Sequence, residues 1–290
     1  MKQNILLIGH KSFLGNQIKK LISKDSKFKI FFLEKYFLEN DILLFNNKEF
    51  YKKYFLKYKK IDAIVSCLHI HKNEFKDELI LNTKAYKHIL YFSKIQKIKK
   101  IVYLSSINAS KKKSSPYGYV KHRIENLFNK YKNFIIVRPS TIISLDKQKK
   151  LLGGTDGASL NLFEKLFNYN LPIPIIGDGK YLFTICFLND LANFIILLLK
   201  DNILLNKKIN FFSGEFLNFN TFIDYIGLIK KKNVYKFYLP LPLINFLCKL
   251  KILDYKKINN LLNQRIYYNY YDLIKKKIKI NQLIKITKKK

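Results

Sequence analysis

The chain has 290 residues, which suits one large domain or a nucleotide-binding domain with a smaller cap, and its 48% apolar content excludes global disorder. A formal net charge of +35 suggests a polyanionic partner, either nucleic acid or an anionic membrane. Lysines nevertheless run along the whole chain and heavily outnumber arginines, in a composition rich in Asn, Ile, Phe and Tyr with no Trp and one Met; that spread reads as compositional bias, and no specific nucleic-acid partner is expected.

Asn4–Ile8 is a short apolar run of the kind a buried parallel strand needs, and it ends at Gly9. Phe13–Ile22 follows with helical spacing, placing Leu14, Ile18, Leu21 and Ile22 on one side. Phe28–Leu33 reads as a second strand, closed by Glu34, and Ile61–Cys67 as a third. Leu79–Ile95 is helical, Ile101–Leu104 is a strand ending at Ser105–Ser106, Tyr117–Tyr131 is helical, and Phe134–Val137 is a strand stopped by Arg138–Pro139. Strands alternating with helices over this length predict an α/β fold, a Rossmann-like doubly wound parallel sheet with right-handed crossovers. Beyond residue 145 the pattern changes. Gly153–Gly157 is a polar loop, Leu160–Tyr169 and Asp190–Lys200 are helical, and Pro172–Gly179 is a short strand and turn. The expected division is an NAD(P)-binding domain over 1–145, to which about 176–200 returns, and a smaller C-terminal α+β substrate-binding region over 146–290.

Cys67, Cys186 and Cys248 are widely separated and make no CxxC pair, so a reduced, cytoplasmic protein is expected. No secretory leader pattern and no apolar run of ~18 residues is seen. Leu239–Leu250 is apolar with nearby lysines, and is read as a packed cap element with peripheral membrane contact as the alternative.

Two constellations carry chemistry. In Gly9-His-Lys-Ser12-Phe-Leu-Gly15, Gly9 permits a tight turn and Gly15 a close approach of helix to sheet. The helix N-terminus then offers amides to a diphosphate, and Glu34 can accept from an adenosine ribose. Ser12 occupies the place of a middle glycine, where its hydroxyl can donate to a phosphate oxygen. Lys11 and Lys35 can reach a 2′-phosphate, so the cofactor is NAD or NADP. The second constellation is Ser106 with Tyr117 and Lys121, whose i,i+4 spacing puts phenol and amine on one helix face. An ammonium beside a phenol stabilises the phenolate, the tyrosine can exchange a proton with a substrate oxygen, and Ser106 can orient that oxygen. Tyr271 and Lys275 repeat the spacing without a glycine turn or paired serines. His69 and His71 flank Ile70 on one side of an extended segment, but no carboxylate or cysteine is seen in sequence to complete a set, so no metal is expected.

In this order, Gly9…Phe13-Leu14-Gly15, Asn40-Asp41-Ile42, Asp62–Cys67, Asn82, Val102–Ser106, Ser115-Pro-Tyr-Gly-Tyr-Val-Lys121…Glu125, Arg138-Pro139 and Ile176–Gly179…Asn189-Asp190 resemble the extended short-chain dehydrogenase/reductases of the NAD-dependent epimerase/dehydratase family. The resemblance covers roughly residues 4–200. It implies that Phe13, Leu14 and Asn82 belong to the cofactor site, that Asp41 and Ile42 lie by the adenine, that Ser66, Cys67 and Leu68 line the nicotinamide ribose, that Pro139 lies near the nicotinamide, and that Asp190 caps a helix. It further implies a nucleotide-linked sugar substrate in glycan-precursor synthesis, epimerised or reduced, and allows a homodimer. The alternative reading is a non-catalytic NAD(P)-binding structural or sensor protein. Departures are Ser12, Ser144 in place of a glycine, and Lys180–Thr184 where many sugar-nucleotide epimerases carry an arginine. Ile107-Asn108 after Ser106 argue against dehydration.

Overall fold

A computed structural model describes residues 2–33, 60–110, 115–145, 151–153, 157–201, 204–213, 217–250, 252–253 and 258. Glu34, Asp41, Ile42, Tyr271 and Lys275 lie outside these residues. The chain divides into two compact units, Met1–Pro139 with Leu191–Ile209, and Ser140–Asp190 with Asn210–Lys290.

The first unit begins with β1 (Gln3–Ile8), whose last four residues are buried, and α1 (Phe13–Ile22), which buries Leu14, Ile18 and Ile22. Then come β2 (Phe28–Leu33) and the fully buried β3 (Ala63–Ser66). The next helix, α2 (Phe75–Ile95), begins a turn before the expected Leu79. Its extra turn contains Asp77 and Glu78, whose carboxylates suit the positive end of the helix dipole. β4 (Lys100–Leu104) is wholly buried and leads into a 3-10 turn at Ile107–Ser110. In α3 (Pro116–Phe128), Ser115 caps the helix by accepting from the Gly118 N–H, and Pro116 stands where a missing N–H costs nothing. This helix ends before Tyr131 because the chain turns there, with Asn133 at φ 65° leading into β5 (Phe134–Pro139).

The second unit holds β6 (Thr141–Leu145), β7 (Leu151–Gly153), α4 (Gly157–Asn168), β8 (Ile173–Ile176), β9 (Leu182–Phe183) and β10 (Ile185–Phe187). Next is α5 (Leu188–Lys200), most of which belongs to the first unit. It starts at Leu188, so Asp190 lies in its first turn rather than at the cap position expected from the resemblance. β11 (Lys207–Phe211), β12 (Leu217–Asn218), α6 (Phe219–Lys230), β13 (Lys236–Leu239) and α7 (Leu241–Lys249) complete the described elements. In α7 only Ile244 is buried among the described residues, while Leu241, Leu243 and Phe246 are exposed. No helix among the described residues is long and apolar enough to cross a membrane.

The main sheet has six strands in the order β11-β5-β4-β3-β1-β2. The ladders β2·β1, β1·β3, β3·β4 and β4·β5 are all parallel. This is the doubly wound α/β arrangement expected from the alternating pattern, in which ligands bind beyond the carboxyl ends of the strands. Tyr86, Tyr103 and Phe128 pack together in its core, with Tyr103 and Phe128 stacked at 5.3 Å. In the second unit β6 lies between β10 and β7, β8 pairs with β13 and β9 with β12. A separate core gathers Ile143, Phe167, Ile175, Phe183, Phe219 and Phe222.

Candidate active site

The turn after β1 is fixed by backbone geometry. Gly9 has φ +80°, and a Cβ there would lie 2.9 Å from the Cys67 carbonyl carbon. A Cβ on Gly15 would run into the Gly9 carbonyl oxygen. Both positions therefore require glycine, one for conformation and one for contact. The Ser12 hydroxyl donates to the Gly9 oxygen at 2.7 Å and accepts from the Gly15 N–H at 3.1 Å. Ser12 thus caps α1 and closes the loop, and its hydroxyl is engaged there rather than aimed at a phosphate as expected from sequence. Leu14 is buried and Phe13 half-buried. The turn fits a dinucleotide diphosphate: the loop is drawn tight against the Cys67 and Gly9 backbone, and a helix N-terminus opens at the carboxyl end of a central strand.

The second constellation forms at the carboxyl ends of β3 and β4. Lys121 is 2% exposed, and its ammonium donates to the carbonyl oxygens of Leu104 at 3.0 Å and Leu68 at 3.4 Å. It lies 5.7 Å from the Tyr117 ring centre and 5.2 Å from that of Tyr103. Burial pulls the Lys121 amine down to about 8, against the opposing influence of Cys67, Glu125 and Glu78. Ser105 and Ser106 follow β4, both buried, and the Ser106 hydroxyl accepts from the Asn108 N–H at 3.2 Å.

Sequence reasoning gave Glu125 no role, yet it organises this end of the sheet. Fully buried on α3, it accepts from the Ser105 hydroxyl at 2.5 Å and pairs with Arg138 through both carboxylate oxygens, at 2.9 and 2.5 Å. One carboxylate thereby ties Ser105–Ser106 to the Arg138-Pro139 end of β5. Pro139 is buried there. Cys67 is half-buried and Leu68 is 7% exposed. Two residues that the resemblance assigns to the cofactor have side chains engaged inside the protein. Ser66 is fully buried and its hydroxyl pairs with that of Tyr86 at 2.8 Å. Asn82, also fully buried, accepts from the Ile70 N–H and donates to the carbonyls of Ile70 and Glu78.

That asparagine clamp brings a carboxylate to the two histidines. His69 Nε2 is 3.0 Å from Glu78 Oε1, and His71 Nδ1 is 3.8 Å from Glu78 Oε2. The His69 ring meets the edge of Tyr117 with centres 4.7 Å apart. Burial, with the charges of Lys121 and His71, pushes His69 down to about 2, so its contact with Glu78 is a hydrogen bond from a neutral ring, not an ion pair. The expectation that no carboxylate accompanies the histidines is thus corrected. Glu78 stands seven residues beyond His71, and the missed extra turn of α2 was the only signal for it.

Several solved structures share this fold. UDP-glucuronic acid 4-epimerase from Bacillus cereus in complex with NAD has a TM-score of 0.64 at 18% identity, over 92% of each chain. The dTDP-4-dehydrorhamnose reductase of Bacillus anthracis in complex with NADP gives 0.63 at 15% identity, over 83% of this chain and 86% of that one. UDP-glucose 4-epimerase from Thermotoga maritima with UDP-glucose gives 0.62 at 14% identity, over 82% and 86%. No curated protein matches the sequence. Residues 5–210, well over half of the chain, match one family, and with the glycine turn, the parallel sheet and the Tyr117/Lys121 pair described, the protein belongs to the NAD dependent epimerase/dehydratase family.

Proposed function

We propose that the protein is an NAD(P)-dependent epimerase or reductase of a nucleotide-linked sugar, with Tyr117 as its acid–base group. The observation that carries this reading is Lys121. It is an ammonium 2% exposed, one helical turn from a phenol, at the carboxyl ends of two central strands, with two carbonyl acceptors among the described residues, one of them at 3.4 Å, which leaves a donor for a ligand. That charge favours the phenolate of Tyr117, which can take a proton from a sugar hydroxyl or return it to a carbonyl. Ser106, which follows the Ser105 held by Glu125 and Arg138 and accepts from the Asn108 N–H, orients the same oxygen. The turn built by Gly9, Ser12 and Gly15, whose Ser12 and Gly15 N–H groups close the loop itself, presents the Phe13 and Leu14 amides at the helix N-terminus to the diphosphate of the cofactor, Lys121 reaches a ribose hydroxyl, and Cys67, Leu68 and Pro139 line the nicotinamide end. A bound nicotinamide supplies or accepts the hydride.

The substrate class is supported by the similar structures, named for UDP-glucose, UDP-glucuronic acid and dTDP-4-dehydrorhamnose enzymes. The net charge of +35 also favours approach of an anionic substrate. The test is Tyr117→Phe assayed against a panel of UDP- and dTDP-linked sugars. Turnover falls by about 10²- to 10⁴-fold. Cofactor affinity, read from the fluorescence of the reduced nicotinamide in a protein without tryptophan, stays unchanged. Retained turnover would remove Tyr117 from the chemistry. A wild-type protein that binds cofactor but turns over no sugar nucleotide would favour the non-catalytic structural or sensor reading.

A further inference from the structure

We infer that His69, His71 and Glu78 form a binding site for a divalent transition-metal ion of the zinc class. Among the described residues they are the one group of three His, Cys, Asp or Glu side chains close enough to share an ion, with all three ligand atoms within 4.8 Å of one another. Zinc bonds of roughly 2.0–2.2 Å to imidazole nitrogen and carboxylate oxygen put neighbouring tetrahedral ligand atoms about 3.3 Å apart. His69 Nε2 lies 3.0 Å from Glu78 Oε1 and His71 Nδ1 3.8 Å from Glu78 Oε2, so the two imidazoles face different oxygens of one carboxylate, and a modest rotation of the exposed His71 brings the set, now within 4.8 Å, to that spacing. Two imidazoles with one carboxylate suit zinc and its neighbours, whereas magnesium and calcium take oxygen donors. Three protein ligands leave a fourth position open to water or to a ligand oxygen.

The group is also held in place. The Asn82 side chain clamps Ile70, the residue between the two histidines, through both its N–H and its carbonyl, at 2.9 and 2.7 Å, and the same amide donates to the Glu78 carbonyl. Segment and helix turn are thereby locked together at the three candidate ligands, with Asn82 as a positioning residue. The Lys72 N–H, 3.3 Å from Glu78 Oε2, orients the carboxylate further. His69 has a side chain only 6% exposed; its Nε2 hydrogen-bonds Glu78 Oε1 at 3.0 Å, so an ion would take the place of the proton shared there, and its Nδ1 is buried with no hydrogen-bond partner among the described residues. His71, at 54% exposure, can swing to close the set. The high positive charge of the chain opposes cation approach, so micromolar affinity is expected rather than nanomolar.

The experiment is calorimetric titration of the tag-free full chain with Zn²⁺ and, separately, with Mg²⁺, repeated on His71→Ala and Glu78→Gln. The expected result is one zinc ion per chain, no magnesium uptake, and affinity weakened at least about tenfold in each variant. His71 is a surface residue, so the zinc-free His71→Ala protein melts with the wild type and its loss of zinc cannot be ascribed to unfolding. Absence of zinc uptake by the wild type, zinc affinity unchanged in either variant, or magnesium binding as tight as zinc would each overturn the site. These readouts do not depend on turnover, so the assignment of Tyr117 stands or falls separately.

Discussion

Two lysines stand at opposite ends of β4, and their difference separates a structural ammonium from a functional one. Lys100 opens the strand and is 3% exposed; Lys121 reaches the carbonyl of Leu104, which ends it, and is 2% exposed. Burial pulls both amines down to about 8. Lys100 donates to the carbonyls of Leu198, Leu199 and Asp201 at 2.6, 3.1 and 2.6 Å, closing the C-terminal end of α5. An ammonium has three N–H donors, and there all three have acceptors. Lys121 has two acceptors among the described residues, one of them at 3.4 Å, and two tyrosine rings beside it. A perturbed amine alone therefore does not mark an active site. A buried amine with a donor in surplus, at the carboxyl edge of a parallel sheet, points to a ligand.

The sharpest way to break this contrast is to remove each ammonium with a side chain of similar length. Lys121→Met is expected to lower turnover by about 10²- to 10⁴-fold, the range over which acid–base assistance acts. Its melting temperature should stay close to wild type, because only one well-made hydrogen bond is lost while a desolvated charge is removed. Lys100→Met should do the reverse. It leaves three helix-end carbonyls without their donor and costs about 2 kcal/mol, read as a drop of several degrees in melting temperature. Its turnover should remain near wild type. Equal losses of activity in the two variants would erase the distinction.

Sequence carried part of this picture and missed the rest for identifiable reasons. The Gly9–Gly15 turn and the Tyr117/Lys121 pair are local patterns, fixed by φ preference and by helical spacing, so they could be read directly. The alternation of strands and helices gave the sheet in the same way. The roles of Ser12, Ser66 and Asn82 depend on what faces them in space, and in each case the side chain is engaged by protein groups. Glu78 was missed because a polar first helical turn carries no apolar periodicity, although Asp77 and Glu78 suit a helix N-terminus. Nothing in a lysine-rich sequence separates Lys100 from Lys121 as buried residues. Their burial is a property of the assembled sheet.

The smallest effect, and the one that tests the shared premise of the comparison, is the pH dependence of stability. In the unfolded chain both amines titrate near the ordinary lysine value of ~10.4, and in the folded protein near 8. Between these values the unfolded state binds more protons, so stability rises with pH through this window and is lost again as pH falls through 8. From pH 7.5 to 9 each lysine should add about 1 kcal/mol to the unfolding free energy of the cofactor-free protein. Denaturant titrations of wild type, Lys100→Met and Lys121→Met at those two pH values isolate the contributions: each variant should lose its own share of the rise. A rise that is the same in all three proteins would mean that neither ammonium is held at a desolvation cost. Lys121 would then be no more desolvated than a surface lysine, and inactivity of the Lys121→Met protein would need another cause.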